Sequence, residues 1–241
     1  MVRKILIIGK GSISLKHKHA IKSISKKFKI TNLSSRDFNK NISTKNNFDL
    51  IIICSPSSLH YDHYKIVEKK FENTKILIEK PLFDKSYKIQ KKSNNRYFVG
   101  YNLRFHPVIK FLKNYLKDKQ VFFVRANCSS YLPNWRKKNY RRTVSSKKKF
   151  GGGVLLELSH EIDYLLWIFE KIKINYSLNT KVSKLKIDTD DILILNCITP
   201  KKTIINLTIN FFSRIPNREI FIDGQNFSIR ANILNNSITL I

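Results

Sequence analysis

The feature that most constrains the fold is the passage from Lys4-Ile5-Leu6-Ile7-Ile8 into Gly9-Lys10-Gly11-Ser12-Ile13-Ser14. The first stretch is continuously apolar and β-rich, the pattern of a strand buried on both faces. After the glycines, Ile13, Ala20, Ile21 and Ile24 recur at helical spacing. A buried strand that turns through glycines directly into a helix belongs to a parallel sheet covered on both sides. Such a turn lets backbone N–H groups approach a pyrophosphate at the helix N-terminus. Gly9, Gly11, Ser12 and Ile13 are therefore candidate dinucleotide contacts, and Ser14 stands where the fingerprint has its third glycine.

The pattern repeats. Further strands are expected at 28–33, 49–54, 75–78 and 97–100, with a helix over 60–71. Strands alternating with helices predict right-handed βαβ units. After about residue 101 the pattern changes to a helix over 104–116, a strand over 121–131, a helix over about 152–169, and then strands only. Ile205-Asn206-Leu207-Thr208-Ile209-Asn210-Phe211 alternates cleanly, as in an antiparallel sheet with one wet face. The fold class expected is an α/β Rossmann-type parallel-sheet domain over 1–101, followed over 102–241 by an α+β domain with a mostly antiparallel open sheet. That open sheet is a candidate surface for homo-oligomer formation.

No run approaches the roughly 20 apolar residues of a membrane span, and the apolar start is too short for a signal peptide. Cys54, Cys128 and Cys197 are odd in number, lack metal-ligand spacing and read as reduced thiols, so no metal is expected. A cytoplasmic location follows. The net charge of +29 would attract nucleic acid or acidic substrates. Lysine is spread along the whole chain, however, and Lys, Asn and Ile all have A/T-rich codons. Genome bias with added solubility therefore accounts for the charge better than nucleic-acid binding does.

At the end of the second strand the sequence reads Ser34-Ser35-Arg36-Asp37. A hydroxyl and a guanidinium at Ser35 and Arg36 suit a 2′-phosphate, which points to NADP over NAD; Asp37 is the alternative, as a ribose-binding acid. The basic segment with Arg136, Lys137, Lys138, Arg141, Arg142 and Lys147 to Lys149 has two readings. It is either a solvated lid or a receptor for a carboxylated or nucleotide-linked sugar, gripped by Arg and stacked on Trp135 and Tyr140.

Three of the seven glycines, Gly151 to Gly153, run into VLLELSHEID. At 100° per residue, Leu155, Leu158, Ile162, Leu165, Leu166 and Phe169 share an apolar face, and Glu157, His160, Glu161 and Tyr164 share another. That second face is either simply solvated or functional.

ILIIGKGSISLKH, IIICSPSSLHYDH, ILIEKPL, VGYNLRFHP and GGGVLLELSHEID occur in that order. Together they resemble the Gfo/Idh/MocA family of NAD(P)-dependent sugar and cyclitol oxidoreductases over roughly residues 3–230. SYLPNWRKKNYRR is most similar to members associated with surface-polysaccharide sugar metabolism. The resemblance implies hydride transfer between nicotinamide and a hydroxyl or carbonyl carbon of a sugar or nucleotide sugar. It implies Lys80 beside nicotinamide and substrate, His160 as acid/base, and Glu157 in place of an aspartate that serves the histidine. Ser55, Pro56, His60 and Glu79 would lie by the cofactor, Asn102, Arg104 and Asp163 by the substrate, and the three glycines would bring their helix close to both. The family also runs longer beyond the position of Ile241. A catalytically silent nucleotide-binding partner or sensor is thus the alternative, with a basic nucleic-acid-binding protein the third reading.

Overall fold

The computed structural model describes residues 2–41, 47–90, 92–137 and 139–241. The chain divides into two compact units: Met1–Gly100 with Lys149–Gly151, and Tyr101–Lys148 with Gly152–Ile241.

In the first unit β1 (Lys4–Ile8), β2 (Lys29–Leu33), β3 (Leu50–Ile53), β4 (Lys75–Ile78) and β5 (Arg96–Val99) form one parallel sheet in the order β2-β1-β3-β4-β5. The apolar runs are continuous because both faces are buried. Leu6, Ile8, Ile51, Ile53, Ile76 and Ile78 pack on Phe38 of α2 (Ser35–Asn41) and on Tyr64 and Val67 of α3 (His60–Lys70). Ile5, Ile7 and Ile52 pack against Ile21 of α1 (Ser12–Ile24). From β1 the chain passes to β2 on one side and then to β3 on the other. The strand order therefore reverses beside the glycine turn, where open α/β sheets bind ligands at the carboxyl ends of their strands.

The second unit holds a seven-stranded sheet in the order β12-β11-β10-β6-β9-β8-β7. Its strands are β6 (Val121–Tyr131), β7 (Lys173–Thr180), β8 (Ile192–Ile198), β9 (Ile204–Asn210), β10 (Phe212–Gly224), β11 (Phe227–Asn232) and β12 (Ser237–Leu240). The pairing is antiparallel apart from β6 with β9, which run parallel. One face packs on α4 (Pro107–Tyr115), α5 (Val154–Glu157) and α6 (His160–Phe169), burying Ile109, Leu112, Val154 and Leu165 against Val124, Ala126 and Leu207.

The helix expected over about 152–169 is two helices. Leu158 (φ −102°, ψ 27°) leaves helical geometry between α5 and α6. Glu157 ends one helix and His160 begins the next, so the expected shared face does not exist. Glu161 and Tyr164, expected on the wet face, are fully buried, and Leu166, expected in the core, is 42% exposed. All three cysteines are buried and unpaired. Among the described residues no helix is long and apolar enough to cross a membrane.

Candidate functional site

The first unit gathers its candidate residues at the carboxyl edge of the parallel sheet. Gly9 has φ +123°, and a Cβ there would sit 2.6 Å from the Cys54 carbonyl, so only glycine turns the chain this close to β3. A Cβ on Gly11, by contrast, would meet nothing within 4 Å, which leaves its outer side open. Gly11 caps α1 without a side-chain hydrogen bond, and no acid lies in the first turn. The N–H groups of Ser12 and Ile13 thus face an open, electropositive helix end that fits a pyrophosphate. Ser14 is buried where a third glycine was expected, and its hydroxyl donates to the Gly11 carbonyl at 2.8 Å. The serine is thereby absorbed into the turn.

Asn32 was missed from sequence. Its Nδ2 donates to the carbonyls of Ile7 (3.1 Å) and Gly9 (2.7 Å), bracing the turn from β2. The available signal was a carboxamide inside an otherwise β-favouring strand. After β2, Ser34 caps α2: its hydroxyl donates to the Asp37 carboxylate at 2.6 Å and accepts from the Asp37 N–H. Lys10 Nζ lies 3.7 Å from the same carboxylate. The Ser34 hydroxyl, with help from Lys10, holds the Asp37 carboxyl below its ordinary pKa. Ser35 is half-buried in the first turn of α2 and Arg36 is exposed.

Past β3, Ser55 and the Pro56 turn lead into α3. His60 was expected beside the cofactor, but its ring is 1% exposed and is spent on backbone: Nε2 lies 2.9 Å from the Ser55 carbonyl, and Nδ1 lies 2.9 and 3.2 Å from those of Pro81 and Leu82. The ring thereby shapes the turns at this edge of the sheet. His63, also buried, meets the Ser55 hydroxyl through Nδ1 at 2.9 Å. Burial lowers the His63 pKa to about 4. Past β4, Glu79 accepts from the Lys80 N–H at 3.2 Å, and its other carboxylate oxygen lies 2.7 Å from His17 Nε2 on α1. Lys80 is half-buried. Burial pushes the Cys54 thiol up to about 12, with the Glu79 charge adding to the effect.

Each of the three glycines lies close against the protein's own atoms. Gly151 (φ +74°) lies against Ser57, whose hydroxyl donates to the Gly151 carbonyl at 3.0 Å. A side chain on Gly152 would strike the Val144 and Ser145 carbonyls, and one on Gly153 (φ +112°) would strike the Asp190 carboxylate. The close neighbours are the protein's own atoms. The Asp190 carboxylate accepts from the Leu155 N–H at 2.9 Å, so it already occupies the start of α5.

In the second unit, His160 opens α6 with its ring edge-on to Tyr101, the centroids 5.6 Å apart. The Tyr101 hydroxyl donates to Ser159 Oγ at 3.3 Å, a partner missed from sequence. Arg104 and Asp163, both expected at the substrate, grip each other through two bonds of 2.8 and 2.6 Å, and the guanidinium lies 5.7 Å from the Trp167 ring centre. Asn102 is exposed in the short turn before Arg104. Beneath, the fully buried Glu161 accepts two bonds from Arg218 of β10, at 2.6 and 3.1 Å.

Trp135, expected as a stacking platform, is half-buried and packs edge-on to Phe211 with centroids 5.0 Å apart, and its indole N–H donates to Ser130 at 2.9 Å. The Tyr140 hydroxyl accepts from the Lys186 N–H at 3.2 Å, which lowers its pKa. Arg136 and Arg141 are exposed, and the segment around them is anchored by the buried Ser145 and Ser146. Lys138 lies outside the described residues.

The parallel sheet, its reversal point and the open glycine turn define a Rossmann-type dinucleotide-binding unit. Residues 3–101 match the profile of GFO_IDH_MocA, the oxidoreductase family with an NAD-binding Rossmann fold, and the likeness to that family profile is confined to this segment. No curated protein sequence matches the chain. Among solved structures, the WlbA dehydrogenase from Bordetella pertussis, in complex with NADH and UDP-GlcNAcA, superposes with a TM-score of 0.82 at 16% identity, covering 99% of this chain and 82% of that one. Levoglucosan dehydrogenase in complex with NADH gives 0.83 at 16% identity, covering 100% and 76%. UDP-N-acetylglucosamine 3-dehydrogenase GnnA from Acidithiobacillus ferrooxidans gives 0.71 at 15%, covering 100% and 80%. At these identities the shared property is the fold.

Proposed function

We propose that the protein is an NAD(P)-dependent dehydrogenase or reductase of a sugar or nucleotide sugar. The observation that carries this reading is the Gly9–Gly11 turn, open at Gly11 and uncapped at α1, in a segment of oxidoreductase family sequence. The similar folds that carry NADH with UDP-GlcNAcA in one case, and NADH in another, support the substrate class. Bound nicotinamide supplies the hydride acceptor or donor. The chain's own residues handle the proton. The Lys80 cation favours loss of the substrate's hydroxyl proton as hydride departs, and His160 accepts that proton, returning it in the reverse direction. Glu157 serves His160 from the end of α5. Arg104, Asp163 and Asn102, with Arg136, Arg141 and Tyr140, are the proposed substrate-side groups.

The 2′-phosphate of NADP is the preferred ligand at the start of α2, with Arg36 exposed there and the Asp37 carboxylate engaged by Ser34 and Lys10. A cytoplasmic location accords with three unpaired thiols. The outer face of the seven-stranded sheet, with Phe123 and Ile204 exposed, is the proposed self-association surface, checked by sedimentation of the wild-type protein. The function is tested with Lys80→Ala and His160→Ala on a panel of sugars and UDP-sugars. Each is expected to lower kcat by about 100-fold or more while NADPH affinity stays within about threefold. Equal loss of cofactor binding in both would assign them another task.

A further inference from the structure

The His60 imidazole has two nitrogens and three carbonyl oxygens around them: Ser55 on the Nε2 side, Pro81 and Leu82 on the Nδ1 side. A neutral imidazole carries a single N–H, so it donates on one side and turns a lone pair toward a carbonyl on the other. Only the imidazolium donates on both. The ring therefore joins two turns at the sheet edge in two ways. Charged, it ties the Ser55 turn to the segment just after Lys80; neutral, it holds one of them.

The groups around the ring set the balance. On its own helix, His63 meets the Ser55 hydroxyl and its charge would oppose a charge on His60. The Glu79 carboxylate, at the end of β4, favours the charged ring and is itself held by His17 of α1. Cys54, at the end of β3, lies within the Glu79 field. Burial is the largest influence and lowers the His60 pKa, while the three carbonyls and Glu79 oppose it. The second N–H is thus gained on the acid side of the ordinary histidine range.

We propose that His60 is a positioning residue for Lys80, holding the Pro81–Leu82 carbonyls against the Ser55 turn fully as the imidazolium and from one side only as the neutral ring. The importance of Lys80 rests on the function proposed above. The joint itself does not.

The test uses the full-length protein without cofactor or sugar, so its outcome is separate from that of the dehydrogenase reading. Lys80 modification by trinitrobenzenesulfonate is measured relative to exposed Lys75 by peptide mass spectrometry, from about pH 5 to about pH 8, an interval spanning the histidine range. In the wild type the ratio is expected to change about fivefold, the population shift that one neutral hydrogen bond makes, with a midpoint on the acid side. His60→Phe and His60→Gln are expected to flatten the profile, and His63→Gln to retain it. Should His60→Phe not fold, His60→Gln, which keeps a donor and cannot charge, carries the comparison. Imidazole nitrogen NMR of the wild type, which needs no variant, is expected to show His60 gaining its second N–H over the same interval. A flat wild-type profile, an unchanged titration in folded His60 variants, or a ring that stays singly protonated while the ratio titrates would each overturn the assignment.

Discussion

Gly9 and Gly11 are two residues apart and do opposite work. Gly9 is required by the protein itself, since its positive φ and its approach to the Cys54 carbonyl leave no room for a side chain. Gly11 is required by no contact among the described residues. Gly9→Ala is therefore expected to cost about 1–3 kcal/mol of stability, as a strained left-handed backbone does. Gly11→Ala is expected to keep stability within about 0.5 kcal/mol while lowering dinucleotide affinity by about tenfold or more, equivalent to about 1.4 kcal/mol. Denaturation and NADPH titration of both variants check this. Wild-type affinity in a folded Gly11→Ala protein would remove the pyrophosphate from the turn.

The element that presents His160 is anchored by the next residue along the chain. Glu161 is fully buried on α6 and forms a two-bond pair with Arg218 of β10, so the pair fastens the helix to the sheet. Removing one partner of such a pair leaves a buried charge uncompensated, at about 3–5 kcal/mol. Arg218→Ala is expected to show that loss in urea, and a loss below about 1 kcal/mol would mean that water or another group replaces the guanidinium. This pairing shows where reading the sequence reaches its limit. The parallel strands were legible, because runs such as Leu50–Ile53 are apolar on both faces whatever surrounds them. The glycine turn was legible because its strand and helix flank it directly. The break at Leu158 was not, since Leu158 and Ser159 suit a helix and only tertiary packing interrupts it. The 3.6 period accordingly carried Glu161 and Tyr164 to a wet face they do not occupy. The contacts of His60 with Pro81 and Leu82 were not legible, because those carbonyls lie on a segment some twenty residues away.

Charge and acid sensitivity are separate matters in this protein. The net charge of +29 is carried by lysines spread over the chain, so any binding to nucleic acid is expected to be weak and to vanish as salt rises, without removing dinucleotide binding. The acid response comes from buried histidine. The His63 pKa of about 4 in the fold lies below the ordinary histidine value of 6.5. On acidification the unfolded chain takes up that proton first. Stability held above about pH 6.5 therefore falls between there and about pH 4, by about 3 kcal/mol in full. Urea midpoints at about pH 7 and about pH 5 should differ more in the wild type than in His63→Gln; an equal difference would place the acid sensitivity elsewhere.

Binding of a nicotinamide dinucleotide at the Gly9–Gly11 turn is checked by fluorescence titration of the purified protein with NADPH and NADH at moderate salt. Saturable binding of both is expected, tighter for NADPH, and weakened in Gly11→Ala. Absence of saturable binding of either dinucleotide by the folded protein would contradict it.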